Sequence, residues 1–247
     1  SWRRARVFVA EDPLFSLTFG ALLLLYALPL ALVSHPPMQD WPAHLRIVEL
    51  WRSAGEASAG LNGSAYEARG WLQPYVAHHA LVRGLGALMP LDLAQRLLLV
   101  LYALSLPLSF LYLLMVAGRD RRYALFSFAF VYNAPLIFGL FPQALSLPLV
   151  VATLGLLKRY LDAPTLRREV LLALGTLGVF LFHFSAFFTF GLAAAVVFVC
   201  HLRGPRGLRR ALFTVPALVV ALVWVSSTIE GEGFEPVWWS LQTNLAN

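Results

Sequence analysis

The apolar run "LFSLTFGALLLLYALPLALVS", Leu14 to Ser34, contains no charged residue. Its length matches the roughly 20 apolar residues that an α-helix needs to cross a bilayer. It is followed directly by "HPPMQDWPAHLRIVELW", His35 to Trp51, which is charged and carries two tryptophans. This abrupt change predicts a membrane helix that ends near Ser34 and a following segment that lies outside the hydrocarbon core.

The composition of the whole chain agrees with this interpretation. Of its 247 residues 59% are hydrophobic and 13% are charged, whereas soluble domains carry roughly 25% charged residues. Backbone groups in lipid must be hydrogen-bonded internally, which leaves helices and closed barrels, and these apolar runs lack the alternation of barrel strands. The sequence therefore predicts an all-α, polytopic transmembrane helix bundle. The single cysteine, Cys200, excludes a disulfide framework built within this chain.

The apolar runs predict about seven spans. They are Leu14 to Ser34, Leu97 to Ala117, Tyr123 to Phe141, Ala144 to Leu157, Val170 to Phe182, Ala186 to Cys200 and Ala211 to Thr228. With the amino terminus in the cytoplasm, fourteen of the nineteen basic residues lie on the inner side, as the positive-inside bias requires. Basic helix ends thus explain the net charge of +6 without a nucleic-acid partner. We expect residues 1–247 to form a single transmembrane domain, and expect it to be a piece of a longer chain.

The loop between the first two spans, residues 35–96, is the one long segment predicted outside the membrane. A helix is predicted from Asp40 onward with Pro42 in its first turn, where a missing N–H costs little. A second amphipathic stretch runs from Trp71 to Pro90. Both are rich in aromatic residues and arginine, which predicts two amphipathic helices on the membrane surface.

Two predicted hairpins are short for a full crossing. Only thirty-one residues separate Glu169 from His201, so each arm reaches roughly 22 Å against a core of about 30 Å. The tips fall at "FHFSAF", residues 182–187, and at "FGLFPQ", residues 138–143. Non-helical backbone below the membrane surface must be covered by protein or line a wet cavity. We therefore expect both tips to face one cavity that opens outward.

The segment "DWPAHLRI", Asp40 to Ile47, placed after a first span and before amphipathic surface helices and short hairpins, resembles the C-type (GT-C) polyprenyl-phosphate-dependent glycosyltransferases. The stretch "WLQPYVAHHALVRGLGAL" is similar to the return toward their second span. The resemblance implies that an acid in the first outer loop is catalytic or associated with a divalent metal, Mg or Mn. It also implies transfer of a sugar from a polyprenyl-phosphate donor to a glycan, lipid or protein acceptor outside the membrane.

Asp40 and His44 are the catalytic candidates. Asp40 could act as a general base or as a metal-bound carboxylate, or it could only cap the helix that follows. His44 lies one turn later on the same predicted face, where it could share a proton, a metal or a phosphate, or make only interfacial contacts.

Six further residues are candidates for substrate binding. His183 lies at a hairpin tip, where an intramembrane ionisable group suggests a function or merely closes the turn. Arginine suits phosphate recognition, although the outer arginines could instead pair locally with Glu49 or Asp92. Because adjacent side chains leave a helix in different directions, His78 and His79 alone predict a poor metal site. The six substrate-binding candidates are His183, Arg83, Arg46, Gln143, Tyr75 and His79.

The function predicted from these residues and the resemblance is glycosyl transfer at the outer, periplasmic or extracytoplasmic, membrane face. The location expected is a bacterial inner membrane, with membrane lipid and the lipid-linked donor as partners. One alternative is a transporter or flippase for lipid-linked substrates, which predicts an internal repeat and broken helices. Another is a non-catalytic membrane subunit in which Asp40 only starts a helix.

Overall fold

The computed structural model describes residues 12–33, 36–53, 72–201 and 209–231. Within these ranges the chain is helical and contains no strand. The α-helices are α1 (Pro13–Leu32), α2 (Trp41–Ser53), α3 (Val76–Leu85), α4 (Leu91–Val116), α5 (Ala134–Phe138), α6 (Phe141–Asp162), α7 (Leu166–Phe182), α8 (Phe184–His201) and α9 (Val215–Gly231). Two 3-10 helices, Arg121–Phe130 and Leu212–Thr214, complete the described elements.

Three of these helices, α1, α4 and α6, are long and apolar enough to cross a membrane. Two shorter apolar helices, Phe184–Phe198 and Leu212–Ser227, fall below that length. The fold is therefore that of a helical membrane protein, but the predicted count of about seven spans is not confirmed.

The segment predicted as a span from Tyr123 to Phe141 is not a continuous α-helix. It consists of the 3-10 helix Arg121–Phe130, a turn, and the five-residue helix α5. Asn133 explains the restart, because its Oδ1 accepts a hydrogen bond from the backbone N–H of Leu136 at 3.0 Å and so caps α5. Its Nδ2 also donates to the hydroxyl of Tyr102 at 2.8 Å, and that hydroxyl donates to the carbonyl of Val131 at 2.9 Å. Side chains therefore satisfy the backbone groups that the interruption leaves open.

Helices α4 and α6 lie at the centre of the bundle. Helix α4 packs against α1, α6 and the long 3-10 helix, while α6 also contacts α7 and α8. The buried apolar residues form two clusters, one around α4 and one between α6, α7 and α8. Both contain the close-packed side chains that hold helices together when lipid offers no hydrophobic gain from their association.

The helices of the predicted outer loop reach this bundle through α3, which contacts α4, α6 and α7. Helix α2 contacts α3 and α4. The first turn of α2 contains Pro42, as predicted. The second amphipathic stretch is helical only over Val76–Leu85 rather than across all of residues 71–90. Residues 54–71, which complete the predicted loop, lie outside the described part of the chain.

Both predicted hairpin tips are present as breaks between helices. Helix α7 ends at Phe182 and α8 begins at Phe184, so His183 alone separates them, in an extended conformation. Gly139 and Leu140 separate α5 from α6, and Gly139 has a φ of +84°. The tip at Gly139 contacts Asp40 and His44, and the tip at His183 contacts Tyr75, and the candidate site lies where these contacts meet.

Candidate functional site

Helix α2 turns the side that carries Trp41 and Val48 toward the bundle. Both residues are buried, and they are seven residues apart and therefore on one side of a helix. Ile47 is 45% exposed. His44 lies between Trp41 and Val48 along the chain and is half-buried, so its ring is directed toward α3.

Three histidines meet between α2 and α3. His44 comes from the first turn of α2, and His78 and His79 come from the first turn of α3. One ring nitrogen of each lies within 4.8 Å of those of the other two. The ring centroids are 4.9 to 5.1 Å apart. His78 and His79 alone were expected to make a poor metal site, and His44 approaches from a second helix and brings a third ring nitrogen to the pair.

Backbone carbonyls orient two of these rings. Nε2 of His44 lies 3.1 Å from the carbonyl oxygen of Gly139, and Nδ1 of His79 lies 3.0 Å from the carbonyl oxygen of Tyr75. A carbonyl oxygen can only accept, so in each neutral ring the nitrogen facing it carries the hydrogen. The other two nitrogens, Nδ1 of His44 and Nε2 of His79, face each other at 3.0 Å.

The cluster lies in apolar surroundings. The ring of Phe141 packs 5.2 Å from that of His44 and 5.6 Å from that of Trp41. His78 is fully buried, and His79 is 8% exposed. Burial of this kind favours the neutral imidazole over the imidazolium.

The pKa values of all three histidines are shifted downward. Burial lowers the pKa of His79 to about 4, with a further contribution from the charge of His44. Burial also lowers the pKa of His78 far below its ordinary value, helped by His79 and His44. For His44 burial lowers the pKa, while the hydrogen bond to Gly139 and the charge of Asp40 oppose that shift. At neutral pH the cluster therefore offers neutral rings, which is the form that binds metals.

Asp40 immediately precedes α2 and lies against the hairpin tip. Its backbone N–H donates to the carbonyl of Phe138 at 3.3 Å, and its side chain is half-buried. No described residue donates a hydrogen bond to its carboxylate. The alternative role of Asp40, a side-chain cap for α2, is therefore not seen among the described contacts. The carboxylate is thus left available one helical turn from His44.

Tyr75 links the histidine cluster to the second hairpin tip. Its ring packs edge-on against that of His183, with centroids 4.9 Å apart. His183 Nδ1 in turn lies 2.8 Å from the hydroxyl oxygen of Ser185. The backbone of Tyr75 has a φ of +70°, an uncommon conformation for a residue with a bulky side chain. This turn aims its carbonyl at His79 and its ring at His183, so Asp40, His44, His79, Tyr75 and His183 form one connected group.

The other predicted substrate-binding residues make no contact with this group among the contacts of the described residues. Arg46 pairs with Glu49 at 3.4 Å on the exposed side of α2. The guanidinium of Arg83 lies over the ring of Trp51, 5.0 Å from its centroid, and Gln143 is half-buried in the first turn of α6. Arg96, another arginine of the predicted outer loop, pairs with Asp92.

Sequence reasoning missed His78 as a site residue and did not foresee the role of Gly139. The adjacency of His78 and His79 was visible, but it argued against a shared site. A Cβ added at Gly139 would lie 2.8 Å from the backbone nitrogen of Asp40, a contact that real Cβ atoms do not make. The glycine therefore permits the close approach of the tip to the start of α2. The sequence feature that pointed to this glycine was its position in the predicted turn at residues 138–143.

Comparison with protein-family models, with curated proteins and with solved structures gives no match. The function must therefore be argued from the residues of this chain.

Proposed function

We propose that this protein is an integral membrane glycosyltransferase that moves a sugar from a polyprenyl-phosphate donor to an acceptor at the outer membrane face. The observation that carries the proposal is the position of Asp40. Its carboxylate receives no hydrogen bond from a described residue, and its backbone contacts a hairpin tip and His44 just before α2 begins. A general base needs a carboxylate that is free to accept a proton from the acceptor hydroxyl.

The membrane helices supply the second element of the proposal. A polyprenyl chain is apolar and remains in the bilayer, so its phosphate and sugar are presented at the membrane surface. Asp40 follows α1 by eight residues, which places it within reach of that surface if α1 crosses the membrane. The arginine distribution expected for seven spans supports the outer surface. In a bacterium that membrane would be the inner one.

The test is transfer of a radiolabelled sugar from a polyprenyl-phosphate donor by the full chain in proteoliposomes, compared with the Asp40→Asn variant. Removing a general base that contributes typically 10²–10⁴-fold should reduce transfer by about that factor, with donor binding retained. The matched control is Asp162→Asn, because Asp162 pairs with Lys158 at the opposite end of α6 from the hairpin tip. Unchanged transfer by a normally folded Asp40→Asn protein overturns the proposal.

A lipid-linked-substrate transporter is the second candidate, favoured by the interrupted segment Arg121–Phe138. Discontinuous helices at substrate sites are common in transporters. The same proteoliposomes separate the two functions. Movement of the labelled lipid to the opposite leaflet without formation of a new glycosidic bond identifies a transporter.

A further inference from the structure

The close contact between Nδ1 of His44 and Nε2 of His79 in the histidine cluster requires a chemical explanation. Because His44 and His79 each direct a ring N–H toward a carbonyl, their facing nitrogens both carry lone pairs in the neutral state. These lone pairs point at each other across 3.0 Å, which is repulsive unless a positive species binds both. That species is either a proton, which makes one ring an imidazolium, or a metal ion.

Burial disfavours the proton. An imidazolium shared by His44 and His79 would sit against Phe141, whose ring also packs on that of Trp41, in surroundings that penalise a charged ring. Asp40 adds a favourable charge near His44, but it is the weakest of the three influences on that ring. A metal ion differs from a proton because it forms bonds with several neutral rings at once.

His78 provides an independent observation. It is fully buried, and neither of its ring nitrogens has a hydrogen-bond partner among the described residues. A buried polar group without a partner is destabilising, so such groups in native proteins call for an explanation such as an unseen ion. One nitrogen of this ring belongs to the group that converges within 4.8 Å. A metal ion would satisfy that nitrogen together with those of His44 and His79.

We propose that His44, His78 and His79 bind one transition-metal ion of the zinc class. Imidazole nitrogen suits zinc, copper, iron and nickel, whereas magnesium prefers oxygen ligands. The site thus differs from the Mg or Mn site centred on Asp40 that the sequence suggested. Two nitrogens bound to one tetrahedral zinc lie roughly 3.3 Å apart, close to the observed 3.0 Å.

The surroundings of the rings match those of known metal-bound histidines. A histidine ligand usually donates its second ring N–H to a carboxylate, carbonyl or water, which fixes the tautomer and the ring orientation. Gly139 and Tyr75 supply such carbonyls here. Three protein ligands leave one coordination position open for water or substrate, as in catalytic zinc sites. Metal binding by these rings does not depend on the glycosyltransferase proposal.

The test is direct metal binding by the full chain purified in detergent. After chelation and reloading with Zn²⁺, mass spectrometry should find one zinc per chain, and Mg²⁺ in tenfold excess should not displace it. His44→Gln, His78→Gln and His79→Gln should each weaken zinc binding by at least about 100-fold, since even indirect supporting residues are worth 10–100-fold. The control is His183→Gln, because that histidine touches Tyr75 but lies outside the three converging rings.

A measurement on the unaltered chain keeps the test informative if the variants fold poorly. X-ray absorption at the zinc edge should show scattering from three imidazole rings. Absence of stoichiometric zinc, displacement by Mg²⁺, or a zinc environment without imidazole overturns the proposal and leaves a shared proton as the occupant. An unaltered chain that binds stoichiometric zinc through imidazole but transfers no sugar would instead count against the proposed function alone.

Discussion

The carbonyl oxygen of Gly139 lies 3.1 Å from Nε2 of His44. A single backbone carbonyl at a hairpin tip therefore fixes the tautomer of a histidine that lies ninety-five residues earlier in the chain. The same glycine has a φ of +84° and leaves room for the backbone of Asp40. The tip thus positions both catalytic candidates of α2 without contributing a side chain.

Replacing Gly139 by alanine should disturb both residues. The new Cβ would meet Asp40 at 2.8 Å, and a non-glycine residue at this φ adds strain of about 1–3 kcal/mol. We expect a lower thermal midpoint and weaker zinc binding. The control is Gly191→Ala, since nothing lies within 4 Å of the Cβ that it adds. Equal thermal midpoints and zinc affinities for the two variants would show that the close approach is unimportant.

The Tyr102 hydroxyl should contribute strongly to the interrupted segment. Tyr102→Phe removes the acceptor for Asn133 and the donor for Val131 in a fully buried site. Leaving such groups unpaired costs about 1–3 kcal/mol, which should lower the midpoint of thermal unfolding monitored by tryptophan fluorescence.

Tyr112→Phe is the matched control for this change, because the buried Tyr112 hydroxyl has no hydrogen-bond partner among the described residues. Its removal should leave the midpoint unchanged or slightly raised. A larger loss in Tyr112→Phe than in Tyr102→Phe would contradict the assigned hydrogen bonds.

The metal-free protein should lose stability as the pH falls from about 6.5 to 4. His79 has a folded pKa of about 4, below the ordinary value of 6.5, so between these values the unfolded chain binds more protons than the folded one. Stability therefore rises with pH in this window and is lost on acidification, by roughly 3 kcal/mol in total for this one group. Chemical denaturation at several pH values in the presence of chelator measures the slope.

His79→Gln should flatten that slope by about one proton, which is 1.36 kcal/mol per pH unit. Zinc should increase the pH dependence of the native protein, because protons compete with the metal for the rings. An identical slope in the variant and the native chain would remove His79 as the titrating group.

Arg83 offers a test of donor binding. Its guanidinium lies over Trp51 at the far ends of α2 and α3, where it would still be able to contact a phosphate. If it does, Arg83→Gln should raise the KM for the polyprenyl-phosphate donor by about tenfold with little change in kcat, as expected for an interaction present equally in the ground and transition states.

The comparison variant is Arg159→Gln. It removes an exposed arginine in the last turn of α6, at the end of that helix opposite the Gly139 hairpin tip. Should Arg83→Gln lower only the thermal midpoint and leave KM unaltered, the cation–π contact with Trp51 is the whole role of this residue. Such a contact is worth about 0.5–1 kcal/mol at an exposed site.

Several features of the fold could be read from local sequence. Apolar runs identified α1, α4 and α6, although the run predicted for α6, Ala144 to Leu157, is shorter than the helix Phe141–Asp162, and Pro42 marked the first turn of α2. Helix breaks occur at both predicted tips, where Gly139 and Leu140 separate α5 from α6 and His183 separates α7 from α8. The seven-span count went further than these signals allow, because hydropathy cannot distinguish a continuous helix from the 3-10 segment that Asn133 and Tyr102 stabilise.

The candidate site was only partly predictable. The sequence alone determined a helical membrane protein, an acid directly after the first apolar helix and a histidine one turn beyond it, because these depend on spacing along one element. The meeting of His44 with His78 and His79, and the carbonyls that orient two of the rings, depend on how α2, α3 and the tip at Gly139 pack. Only the tertiary structure decided these contacts, because they join residues on separate helices whose spacing in the sequence follows no helical periodicity.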